Sequence, residues 1–83
     1  MWKVVNMFNY TVAKEADNKA FISACNKIEK QINSLKKEKL LVDVDGSLIQ
    51  VYYCDNKKIK VLNDYEVDAV YIQSEKNISD LFS

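Results

Sequence analysis

The chain has 83 residues, 48% hydrophobic and 29% charged, with one glycine and no proline. That composition excludes disorder and predicts one small domain spanning residues 1–83, of modest stability because so short a chain buries only about 60% of its unfolded surface. Twelve lysines balance twelve acidic residues, so no net field directs it to nucleic acid or an anionic membrane, and the absence of histidine removes the usual general base and the commonest metal ligand.

From Trp2 to Val12 the apolar residues Trp2, Val4, Phe8, Tyr10 and Val12 recur at every second position except Asn6, which predicts a strand. The same stretch has no continuous apolar run, so neither a signal peptide nor a membrane span is expected, and the protein is read as cytoplasmic. From about Asp17 to Lys37 the period changes. Phe21, Ala24, Cys25, Ile28, Ile32 and Leu35 recur at three and four, which predicts one long helix with Asp17 as N-cap and Lys36 and Lys37 at its negative end.

The next segment, LLVDVDGSLI over residues 40–49, predicts a hairpin, because Asp-Gly between alternating apolar residues suits a two-residue type I′ turn. That register pairs Val44 with Ser47, Val42 with Ile49 and Leu40 with Val51. Their shared face, extended by Tyr53, would receive the helix, and Leu41, Leu48, Tyr52 and Cys54 would emerge on the other. A second turn in DNKK leads to a strand from Ile59 to Leu62. An odd loop would place Ile59 and Val61 beside Val51 and Tyr53, and an even loop would place them on the opposite face. A last strand is predicted from about Glu66 to Ile72, and then one helical turn capped by Ser79 and packed by Phe82.

The order β-α-β-β-β predicts an α+β fold in two layers, one long helix packed on a mainly antiparallel four-stranded sheet, with the first strand free to join either edge.

The same LLVDVDGSLI segment resembles the first motif of the haloacid-dehalogenase-like phosphotransferases. The resemblance implies a magnesium-dependent enzyme in which Asp43 attacks phosphorus and Asp45 handles the leaving-group proton. That family needs a doubly wound parallel sheet and further carboxylates downstream, which the elements after Ile49 do not supply, so the turn is the preferred reading. No set of acid, base and nucleophile is present. The chain is therefore read as no enzyme, without cofactor or metal, and Cys25 and Cys54 fit no metal spacing and are expected as reduced buried thiols.

A meander would gather Lys36, Lys37, Lys39, Lys57, Lys58 and Lys60 at one end and Glu15, Asp17, Asp43, Asp45, Asp64 and Glu66 at the other. One helix covers only one face of a sheet, so a protein partner or a second copy in a homodimer is expected over the other. Leu41, Leu48, Tyr52 and Tyr71 would make apolar contacts there, with Lys57 and Lys58 as rim charges. This reads as a protein-binding module, an inhibitor or regulatory accessory factor. Its lysine-rich, arginine-free composition suits a low-GC bacterium or its phage. The alternative is nucleic-acid binding through the lysine end, with Tyr53 or Trp2 as a stacking platform.

Overall fold

The computed structural model describes residues 7–81. Trp2, the first half of the predicted first strand, and Phe82 lie outside the described residues. In chain order the elements are β1 (Phe8–Ala13), α1 (Asn18–Gln31), β2 (Lys36–Lys37), β3 (Leu41–Val42), β4 (Leu48–Cys54), β5 (Lys57–Asp64), β6 (Ala69–Ser74) and a 3-10 turn (Ser79–Leu81). The result is a small α+β domain with one helix on an antiparallel sheet ordered β1-β6-β5-β4-β2, with β3 pairing β4 beyond β2. Thus β1 joins the edge beside β6, and α1 carries the chain across the sheet to the far edge. The sheet has more strands than the four expected: the predicted hairpin supplies two of them, β3 and β4, and β2 adds a short piece of edge strand where the helix was expected to end.

The helix starts where its cap dictates. Asp17 is extended, its carboxylate accepts the Lys19 N–H at 2.8 Å, and its carbonyl accepts the Phe21 N–H at 3.0 Å. It stops at Gln31, earlier than the periodicity predicts. Ile32 is extended, Asn33 and Ser34 are turn formers, and Ser34 adopts a φ of 62°, so Lys36 and Lys37 become strand residues. Ile32 and Leu35 still pack on the core, which is why the period outruns the helix.

The hairpins decide which face is buried. Asp55 and Asn56, with φ of 51° and 65°, form a two-residue loop that pairs Cys54 with Lys57, so the type I′ geometry expected at Asp45-Gly46 occurs here instead. At the first hairpin the loop has three residues, Val44 to Gly46. The Gly46 N–H bonds the Asp43 carbonyl at 3.0 Å, the Asp43 N–H bonds the Ser47 carbonyl at 2.9 Å, and Gly46 takes a φ of 88°. This is a type I turn followed by a left-handed bulge residue. It pairs Leu41 with Ile49 and Val42 with Leu48, one position from the predicted register, and a one-residue slip exchanges the faces.

Tyr52, Cys54 and Leu48 therefore lie beneath the helix, and Ile49, Val51 and Tyr53 lie on the open side. The core joins Phe21, Ala24, Cys25 and Ile28 of α1 to Tyr52, Cys54, Ile59, Val61, Val70 and Ile72 of the sheet and to Ile78 of the tail. Each fully buried aliphatic side chain contributes roughly 1.5–3 kcal/mol. The last strand begins at Ala69, later than predicted, because the Asp64 carboxylate captures the Glu66 and Val67 N–H groups at 2.9 and 3.1 Å and holds residues 65–68 in a turn. The tail turn is capped by Asn77, whose side-chain oxygen accepts the Ser79 N–H at 3.1 Å, and not by Ser79.

Among the described residues four polar side chains are buried, and each ties one junction. Asn63 accepts the Asp17 N–H at 3.0 Å and donates to Asn18 at 2.8 Å, fixing the helix entry to β5. Ser47 accepts the Tyr65 N–H at 3.0 Å and so joins two hairpin tips. Gln50 donates to the Glu38 carbonyl at 2.6 Å, and Ser74 closes the turn at Lys76. Among the described residues no buried side-chain nitrogen or oxygen lacks a partner.

Candidate functional site

The far edge of the sheet is built from two unlike halves. Lys37 pairs with Tyr52 and Leu41 with Ile49, so Glu38, Lys39 and Leu40 stand opposite Gln50 and Val51 only. One residue is extra, and the edge strand bulges there. The bulge is pinned from within, since the Glu38 N–H bonds the Val51 carbonyl at 2.9 Å and the Gln50 amide holds the Glu38 carbonyl. Lysines and a bulge are the devices that discourage edge pairing, and they protect the Lys36–Lys37 half.

The other half has no such protection. Leu40 is 42% exposed, Leu41 52%, Val42 66% and Val44 fully so. The Asp43 N–H turns inward to Ser47, and backbone direction alternates along a strand, so Leu41 also faces β4. The N–H and C=O groups of Val42, between them, therefore face away from the sheet. Nearby, Tyr65 lays its ring over Gly46, 3.6 Å from where a Cβ would stand, and is itself 44% exposed. An apolar strand edge with outward backbone groups is a template for another strand.

The charges divide as the sequence suggests. Lys36, Tyr53 and Lys58 stand opposite one another across three strands on the open face, and Lys57 pairs with Cys54 at the same end. Lys37 is engaged by Glu29 at 3.1 Å. At the other end Asp43, Asp45, Asp64 and Glu66 line a recess of about 70 Å³. Three of these carboxylates staple turns. Asp43 accepts the Val44 N–H at 2.7 Å, and Asp45 accepts the Ser47 N–H at 2.9 Å, which lowers its pKa. Asp64 holds residues 66 and 67 and accepts the Tyr71 hydroxyl at 3.1 Å. Among the described residues no group of three or more Cys, Asp or Glu is placed to hold a metal ion. The two aspartates of the phosphotransferase-like motif sit at the tip of a hairpin in an antiparallel sheet, Asp43 at its base and Asp45 within the loop.

Of the residues expected to make partner contacts, Leu41 is exposed at the edge, and Tyr71 is half-buried on the open face, where burial and Asp64 raise its hydroxyl pKa. Lys57 and Lys58 border the β4–β5 hairpin. Leu48 and Tyr52 require correction: the register slip turns both toward the helix. Leu48 packs on the core, and Tyr52 is 0% exposed. The Tyr52 hydroxyl donates to Glu29 at 2.5 Å and also contacts the Cys25 thiol, and burial raises the pKa of both groups. Cys25 and Cys54 are free and buried. The sequence pattern puts Leu40, Val42 and Val44 on the buried face, and at the edge all three are exposed. Their signal was the run LLV itself, since a strand at an edge cannot bury apolar residues at consecutive positions.

Among family models, curated proteins and solved structures, none matches this chain. Among the described residues no helix is long and apolar enough to cross a membrane.

Proposed function

We propose that the protein is a binding module that docks another protein chain along its β3 edge and over the adjoining open face, with Leu41 at the edge and Tyr71 on the face supplying apolar contact and Lys57 and Lys58 the charged rim. In this reading it acts as an inhibitor or regulatory accessory factor inside the cell, not as an enzyme. The observation that carries it is the exposed apolar run Leu40, Leu41 and Val42, continued by Val44 in the adjoining turn, at an edge where the outward backbone groups of Val42 have no partner among the described residues. Free buried thiols support an intracellular setting.

The row Lys36, Tyr53, Lys58 favours a second reading, binding of single-stranded nucleic acid by stacking on Tyr53. Salt separates the two. Immobilised protein should retain a stoichiometric protein partner through about 0.5 M salt and lose it in Val42→Lys, because apolar contacts are not screened. Tight oligonucleotide binding that collapses with salt and survives Val42→Lys would overturn the protein-docking reading in favour of the second.

A further inference from the structure

The edge carries enough information to name its occupant. Its sequence from residue 39 to residue 43 is Lys-Leu-Leu-Val-Asp, a basic residue and an acidic one at equal distances from Leu41. Such a segment is complementary to itself when read in the opposite direction.

Backbone geometry narrows the possible pairings. Val42 presents its N–H and C=O outward beside Leu41, and strand alternation carried back one residue from Leu41 turns Leu40 outward as well, so an antiparallel strand added here sets outward residues against outward residues. For a second copy, three registers meet that condition. Leu40 opposite Leu40 sets Lys39 against Leu41 and Glu38 against Val42. Val42 opposite Val42 sets Asp43 against Leu41. Leu40 opposite Val42 sets Leu41 against Leu41 and Lys39 against Asp43, twice over by symmetry. Only the last keeps apolar against apolar and opposite charge against opposite charge.

We propose that two copies of this chain join through β3 in that register, about a two-fold axis at Leu41. This rests on the reading of the edge as a docking surface and names the partner that the edge itself specifies. The axis runs perpendicular to the sheet, so the joined sheets are continuous. Both α1 helices lie on one side, and the two open faces, with their Lys36, Tyr53 and Lys58 rows, adjoin on the other.

The test is solution mass by sedimentation equilibrium over about 10 to 200 µM, on the parent, Lys39→Asp, Asp43→Lys and an equimolar mixture of the two variants. Each variant alone sets like charges opposite one another twice, and the mixture restores Lys against Asp in both halves. The expected result is a dimer for the parent, dissociation constants raised at least about tenfold for each variant alone, and a heterodimer in the mixture. Recovery in the mixture also shows that both variants fold. A parent that is monomeric throughout, a Lys39→Asp variant that dimerises as the parent does, or a mixture that stays monomeric overturns the proposal. If self-pairing fails and Val42→Lys still abolishes capture of another protein, the docking reading stands without it. Capture indifferent to Val42→Lys overturns both.

Discussion

Tyr52 links the core to the surface through a single hydroxyl. Its ring is buried under α1, and its hydroxyl reaches Glu29, which also takes Lys37. The Tyr52 hydrogen bond, more than Lys37, holds the Glu29 carboxyl below its ordinary 4.5. A carboxyl with a lowered folded-state pKa stabilises above its unfolded value and loses that contribution as pH falls through the folded one, so Glu29 acts from about pH 4.5 upward. The Tyr52 hydroxyl has a raised pKa. Its contribution is whole below about pH 10 and lost above. Replacement Tyr52→Phe should cost about 1.5 kcal/mol near pH 7 and flatten both limbs. Urea titrations at pH 7 and pH 3 check this: the parent should lose more stability between them than the variant does. Asn63 is the second residue on which much depends, because it holds the first turn of α1. With Asn63→Ala the Asp17 N–H loses its buried acceptor, a cost of roughly 1–3 kcal/mol in the same assay.

At the scale of elements, the turns decide more than the strands do. Gly46 with φ of 88° and Asn56 with φ of 65° carry the two hairpins that flank β4. Gly46→Ala should destabilise by about 1 kcal/mol or more, and Asn56→Gly should be neutral or stabilise by up to about 1 kcal/mol, both read from thermal midpoints. The same two positions show where the sequence was legible and where it was not. The longer strands and the capped start of the helix followed from periodicity and from Asp17, but not the helix end, since Lys36 and Lys37 are strand. Asp-Gly announced a hairpin correctly. It could not announce whether two or three residues close the loop, because Gly46 serves equally as the second residue of a type I′ turn or as a bulge residue after a type I turn. That single residue of loop length reversed both faces and moved Leu48 and Tyr52 from the expected interface into the core.

On the scale of the whole molecule, a zero net charge conceals a lysine end and a carboxylate end, as the order of strands and turns implied. The side without a helix was foreseeable from one helix and several strands. The unprotected edge was not, because β3 is short, and its exposure depends on the bulge at Glu38 to Leu40 and on Gln50, which pins it from a distant part of the pattern. In the isolated protein the backbone of Leu40 and Val42 at this edge should be open, and it should close when the protein acts. Amide hydrogen exchange of these two residues, followed against protein concentration from about 5 µM to 500 µM, tests it directly. Fast exchange when dilute and protection that grows with concentration are expected, while the Leu41 amide, which faces β4, stays slow throughout. Protection of Leu40 and Val42 that is already complete at the lowest concentration would mean the chain covers its own edge. Fast exchange at every concentration would mean no strand docks there, and either result would contradict the account.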